Sequence, residues 1–428
     1  MDRASNLIAV ANSAAALPDE GATDDRVEVL VKLANSLHRV GQPAHRLEQT
    51  MTEAAGQLGR EMQIFALPTG LIMNFKEQEG YETRLSRIHD TVIHLERLAS
   101  LSNVADRIVR GTLDPVPGKL QIDRIMSAPE RWGPVAIVAA YLLSAGAFSV
   151  FFRGGVTELI TALFVGLAVG LLAVATQHIR ASRRLFELSS ALAAAWIATV
   201  AGDLFGQFVE WIPLAAGLII LLPGMATVDA VEELASGQLA SGGARLAGVT
   251  VVFLAMTFGT VLGLATADLV MANVGAVSGP DLLEAANPLP LWVTPIALVA
   301  VSFGSMIRFR ARSSDLMSCL VASLIAFAAS RFGTHYLGPI SGAFFAALVL
   351  GIVANFWSHY FRHPVELFDV PGLAILVPGS IGLRCLASLL SEETTKGVYD
   401  AFQMFVTAMA IVAGLLFSNS LSRQRGVF

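Results

Sequence analysis

From Pro134 onward the chain presents ten apolar runs, at 134–152, 155–176, 186–206, 208–223, 245–266, 289–307, 315–331, 338–357, 370–390 and 399–420. A bilayer core about 30 Å thick takes about 20 helical residues to cross, and a helix is the simplest element that satisfies its own backbone in hydrocarbon. Most of these runs reach that length. The fourth is short, and the ninth is interrupted by proline. The expected fold is therefore an all-α polytopic membrane domain of about ten transmembrane helices.

Composition agrees, because 54% of the 428 residues are hydrophobic and 15% charged, with a mean hydropathy of +0.62. A soluble protein of this length carries more charge. The charges are also unevenly placed. Residues 1–130 hold 18 acidic and 14 basic side chains, half of all the charge in the chain. A polar N-terminal domain thus precedes the membrane domain. The net charge of −5 shows no basic block suited to nucleic acid.

Within that polar part, residues 1–25 are expected to be a disordered tail. MDRASNLIAVANSAAALP has only LIAVA as an apolar centre, and Asp2 stands where a leader carries basic residues. Residues 26–120 read as a small α+β domain. Val27, Leu30, Val31, Ala34 and Leu37 repeat at helical spacing, as do Leu47, Met51, Ala54, Ala55 and Leu58, with Gly41-Gln42-Pro43 between them. IFALPTGLIMNF predicts a hairpin turning at Pro68-Thr69-Gly70, and TRLSRI a further strand. Residues 90–110 return to helical spacing, and the two prolines of TLDPVPGK predict a linker.

Orientation follows from basic residues in the loops. With the N-terminal domain inside, the inner loops hold twelve arginines: Arg124, Arg131, Arg180, Arg183, Arg184, Arg245, Arg308, Arg310, Arg312, Arg362, Arg423 and Arg425. The outer loops hold only Arg153, Arg331, Arg384 and Lys396. Both termini are accordingly expected in the cytoplasm, with the spans in the cytoplasmic (inner) membrane.

The fourth run ends at Pro223-Gly224 and gives way to an amphipathic, acid-bearing segment. A second Pro-Gly pair, Pro378-Gly379, lies 155 residues later in AILVPGSIGLRCLASL. The same shift lays the first run on the sixth and Arg153 on Arg308. Two units of five spans follow, at 132–266 and 289–420. An odd number of crossings forces the second unit to be inverted with respect to the first. Inverted repeats with broken helices at matching places are the mark of a secondary transporter with its site between the halves. Proline lacks an N–H and clashes with the preceding turn, so each break frees backbone groups that must line a wet cavity or be buried in protein.

The stretches HRVGQPAHRLEQTM, ALPTGLIMNF, FFRGGVTELI, LLPGMATVDAVEELASGQLASGGARLAG and LVPGS resemble the threonine/serine exporter family. The resemblance covers residues 26 to 420 and implies a cytoplasmic N-terminal domain, ten spans and efflux of threonine and serine driven by the proton-motive force. Some members of that family divide the halves between two subunits, and one such pair is associated with succinate. A dicarboxylate exporter is thus the alternative substrate class. A membrane-anchored enzyme or sensor acting through the N-terminal domain is the alternative from another class.

A zwitterionic substrate needs an acceptor for its ammonium and donors for its carboxylate. Asp203, in TVAGDLFGQF, is the acid nearest a span interior and the candidate for proton coupling. Arg153, Arg331 and Arg384 are candidates for a substrate carboxylate, although arginines at span ends also anchor or snorkel. Asn355 offers either a substrate contact or a helix-packing hydrogen bond. The two breaks, Pro223-Gly224 and Pro378-Gly379, are expected to line the path, with Asp229 and Glu233 at the cytoplasmic mouth. GLAVG at 166–170 and GTVLG at 259–263 read as helix-packing motifs.

No enzymatic motif and no cofactor is indicated. His38, His45, Glu48, His89 and His94 are too scattered for a metal site. Cys319 and Cys385 read as small buried residues. The expected partners are the amino-acid substrate, protons and the lipid bilayer, with a homo-oligomer left open.

Overall fold

The computed structural model describes residues 24–78, 80–88, 91–176, 185–205, 209–274, 287–361, 363–376, 381–382, 388 and 394–423. Pro378, Gly379, Arg384, His89 and Cys385 lie outside these.

The N-terminal domain comprises α1 (Asp25–Arg39), α2 (Ala44–Gln57), β1 (Met62–Leu67), β2 (Gly70–Glu77), β3 (Gly80–Arg87), α3 (Leu95–Val109) and α4 (Pro115–Ser127). Its strands form an antiparallel meander with Leu67 opposite Gly70 at the first turn. Alternation sends Leu71, Met73 and Phe75 of β2 into the core, where Leu30, Leu33, Leu47 and Met51 from the first two helices meet them. The linker expected at TLDPVPGK is instead the start of α4. Pro115 occupies the first turn, where its missing N–H has no intrahelical partner to lose, so proline begins this helix rather than preventing it.

The membrane part follows as α5 (Pro134–Phe151), α6 (Val156–Thr176), α7 (Phe186–Phe205), α8 (Trp211–Leu218), α9 (Gly224–Ala235), α10 (Leu239–Val274), α11 (Thr294–Arg308), α12 (Leu316–Leu337), α13 (Pro339–Phe361), α14 (Glu366–Leu376) and α15 (Thr394–Arg423). Eight helical stretches among the described residues are long and apolar enough to cross a membrane. The fourth and ninth runs are not among them: the fourth yields the eight-residue α8, and of the ninth the structure describes only α14 and a few later positions.

The element order repeats. Trp211 and Glu366 open α8 and α14, and Leu239 and Thr394 open α10 and α15, each pair 155 residues apart. α7 packs on α10 as α13 packs on α15, and α6 packs on α5 as α12 packs on α11. GLAVG and GTVLG do serve helix packing. Gly166 faces Ala145 and the Tyr141 carbonyl on α5, while Gly259 and Gly263 face the Leu188 and Leu192 carbonyls on α7.

The turn after the first helix of each set is also shared. Arg153 and Arg310 both adopt a left-handed backbone, at φ 64° and 51°. Two residues on, Gly155 N–H donates to Glu158 Oε2 (3.0 Å) and Arg312 N–H donates to Asp315 Oδ2 (3.2 Å). A carboxylate thus closes each turn.

These two turns lie at opposite ends of the bundle. Trp132, just before α5, donates Nε1–H to the Ala311 carbonyl just after α11 (2.9 Å). Leu289, before α11, donates its N–H to the Gly154 carbonyl after α5 (3.0 Å). α5 and α11 therefore run antiparallel along their length. They cross closely at Gly304, where a Cβ would meet the Ala140 carbonyl at 3.1 Å and collide with Ser144 Oγ. Gly304→Val is expected to destabilise the protein by about 1–3 kcal/mol through overpacking. A thermal melt of the purified variant checks this, with part of the loss recovered in Gly304→Val/Ser144→Ala.

The N-terminal domain is docked on the bundle through one continuous core. Leu95, Leu98, Leu101 and Ile108 share a buried cluster with Ala140, Met306, Ile307, Phe309, Leu367 and Val370. Leu95 N–H donates to the Phe309 carbonyl (2.9 Å), and Arg310 pairs with Glu130 (3.2 Å).

Candidate functional site

Between the domain and the bundle lies a cavity of about 420 Å³. Its floor is formed by α5 (Ser144, Phe148) and α11 (Val301, Ser305, Arg308), the antiparallel pair. One wall is the broken segment from Ile219 through Pro223 to Asp229, Glu232 and Glu233 on α9. Another is α14, through Glu366, Val370 and Ala374. The roof comes from the N-terminal domain, through His38, Gln42, His45 and Pro68.

The break gives this site its polarity. α8 stops at Leu218, and the chain turns through Leu221 and Leu222, whose N–H groups both donate to the Leu218 carbonyl (2.8 and 3.1 Å). Pro223 cannot continue the ladder, and α9 restarts at Gly224. The carbonyl of Ile220, freed by the break, accepts from Arg308 Nη2 at 2.6 Å. Thr227 Oγ1 donates to the Pro223 carbonyl (2.8 Å), pinning the first turn of α9.

α9 then presents three acids with three different environments. Glu233 is buried and held by Arg245 in a two-pronged ion pair (2.8 and 3.2 Å), with Ser241 donating at 2.9 Å. Glu232 faces His45 across the cavity roof at 3.8 Å. Asp229 makes no hydrogen bond or ion pair among the described residues. Burial pushes its carboxyl up to about 7, since Arg245 nearby is committed to Glu233 and Glu232 and Glu233 add like charge. Asp229 therefore changes protonation near neutral pH, which a carboxylate in water does not.

Four side chains of HRVGQPAHRLEQTM seal the roof. Arg46 pairs with Glu366 at 2.9 Å, with the two side chains 27% and 13% exposed. Beside it Asp369 Oδ1 is buried without a hydrogen-bond partner. Glu48 accepts from Gln238 at the α9–α10 turn (2.6 Å) and from the Ala66 N–H of β1 (3.3 Å). His45 and His38 are both buried, and desolvation lowers the pKa of each, favouring the neutral ring. These residues join α2 to α9 of the first set and α14 of the second.

The structure thus gathers Pro223, Asp229 and Glu233 around one cavity, with Gly224 buried at the start of α9. Other predicted residues lie elsewhere. Asp203 sits half-buried near the end of α7 and does not line the cavity. Arg153 is exposed at the far turn, and Arg331 is exposed on α12. Asn355 donates to Asn419 at 3.0 Å, joining α13 to α15. Four residues that the sequence reading left out as site residues enter the site: Arg46, Arg308, Glu366 and Asp369. For Arg308 the signal was present, since the shift of 155 had paired it with Arg153.

No solved structure matches the chain. Similarity to known sequences is more informative. The chain is 23% identical over 391 residues to pheromone-regulated membrane protein 10 of Saccharomyces cerevisiae, covering 90% of this chain and 50% of that protein. It is 25% identical over 386 residues to the Candida albicans protein of the same name, covering 86% of this chain and 34% of that one. An uncharacterized protein of Schizosaccharomyces pombe is 25% identical over 377 residues, covering 84% and 48%. The chain spans half or less of the length of these relatives. Residues 28–267 match the threonine/serine exporter family model ThrE, and residues 293–421 match ThrE_2, described as threonine/serine exporter. With both halves matched, the chain belongs to the threonine/serine exporter family.

Proposed function

We propose that the chain is a secondary transporter that exports small polar amino acids, threonine and serine, across the cytoplasmic membrane in exchange for protons. The carrying observation is the cavity itself. It lies where the broken α8–α9 segment of one half meets α11 and α14 of the other, and it holds an unpaired carboxyl that titrates near neutral pH.

An inverted five-plus-five arrangement of ten spans, with both termini cytoplasmic, accords with the antiparallel α5 and α11 and with the element order repeating after 155 residues. In this reading the N-terminal domain closes the cytoplasmic side. Substrate loads when the Arg46–Glu366 and Glu48–Gln238 contacts part, and alternating access then rocks the halves about the cavity. Proton coupling moves from Asp203 to Asp229, because only the latter reaches the cavity.

The lining favours an amino acid over a dicarboxylate. Asp229, Glu232 and Glu366 face a space in which Arg245 is already neutralised by Glu233, so a dianion would meet net repulsion. Uptake into inside-out proteoliposomes with an acidic lumen tests the reading. Labelled threonine or serine is expected to accumulate only with the gradient, and succinate is not. Accumulation of succinate alone would overturn the substrate assignment.

A further inference from the structure

Arg308 stands out among the charged groups of the cavity because it has no acid partner. Two arginines line the space. Arg245 is satisfied by Glu233. Arg308 makes two hydrogen bonds, both to neutral oxygens: Nη2 to the Ile220 carbonyl at 2.6 Å and Nη1 to the Tyr141 hydroxyl at 3.4 Å. Its immediate neighbours Gly304–Ile307 and Phe309 are buried, whereas Arg308 itself is exposed and lines the cavity.

A guanidinium carries five N–H donors and a charge that is not given up in proteins. Here two donors are used and the charge is left uncompensated beside Phe148, Val301 and Ile219. An uncompensated cation among such walls is costly unless an anion meets it. Its planar fork matches a carboxylate, which can accept two parallel bonds from it. The Ile220 carbonyl that holds the fork exists only because the helix breaks before Pro223, so the break does more than end a helix: it aims the cation.

Resting on the transport reading above, we propose that Arg308 is the carboxylate anchor of the transported molecule, held in place by the Ile220 carbonyl and Tyr141. The acidic wall on α9, with Asp229 and Glu232, then faces the ammonium. A molecule with both groups is bound along the line from α11 to α9, and the serines Ser144 and Ser305 between them meet its hydroxyl. Specificity for a free carboxylate is thereby assigned to the first helix of the second half, a place where the arrangement by sequence had put only a loop charge.

The test changes the ligand as well as the protein. Thermal stabilisation of the purified full-length chain is titrated with threonine, threonine amide and succinate. The wild type is expected to prefer threonine over its amide by about 10- to 100-fold, the range of a charge-assisted pair. Arg308→Gln should bring the two within about twofold, and Arg308→Lys, which keeps the charge but not the fork, should fall between. A purely structural arginine would lower the melting temperature while leaving the preference unchanged, and that result would overturn the proposal. So would a wild type with no preference for the acid over the amide, a comparison that holds even if the glutamine variant does not fold. Binding of succinate but not threonine, lost in Arg308→Gln, would uphold the anchor while refuting the amino-acid reading.

Discussion

Reversing the charge at Arg46 is expected to release the N-terminal domain from the membrane helices. In Arg46→Glu, a third carboxylate joins Glu366 and the buried, unpartnered Asp369, with Glu232 close by. Removing one partner of a largely buried pair costs about 3–5 kcal/mol, and here the replacement adds repulsion. The variant should melt well below the wild type, and residues 24–127 should become sensitive to limited proteolysis while the helices stay protected. Arg46→Glu/Glu366→Arg restores the pair in reverse and should regain a large share of the loss. A double variant no more stable than the sum of its singles would show that the pair does not hold the domain.

The second large effect concerns Asp229. Its carboxyl is expected to stay protonated to about pH 7, whereas in the unfolded chain it ionises near the ordinary value of about 4. The folded state therefore binds the extra proton between those limits, and wild-type stability falls as pH rises from about 4 to 7 and stays lower above that. Asp229→Asn carries no such penalty, so it should be the more stable protein at pH 8 and about equal to the wild type at pH 4. Function should move the other way. Threonine exchange by the wild type is expected to change with pH about a midpoint near 7, while the Asn variant exchanges threonine at a pH-independent rate and no longer accumulates it against a gradient. A retained pH midpoint in Asp229→Asn would place the coupling group elsewhere, with Asp203 the next residue to replace.

Much of the fold was legible in the chain. The helices and hairpin of the N-terminal domain follow from local periodicity, and the Pro223 break follows from an apolar run that stops too soon. The repeat was visible because span spacing survives where residue identity does not. The proline-rich start of α4 misled because proline at the first turn of a helix and proline in a linker look alike without the following residues in view.

The site was less legible for a physical reason. Asp203 was singled out by its depth along one span, but depth along a helix does not say which side of it faces the cavity. The roof contacts are long-range: Arg46 and Glu366 lie 320 residues apart, and nothing in either local stretch points to the other. Arg308 looked like one more positive charge at a span end. Only the fold places it against the carbonyl that the break sets free.

The central claim is that this cavity exchanges protons for an amino acid. The most direct measurement is of the protons themselves. Inside-out proteoliposomes carrying a luminal pH dye, with equal pH on both sides, are given threonine outside. The expected result is that threonine entering down its own gradient drives protons out, so the lumen turns alkaline, and that Asp229→Asn vesicles take up threonine with no pH change. Threonine entering wild-type vesicles without moving protons would contradict the account.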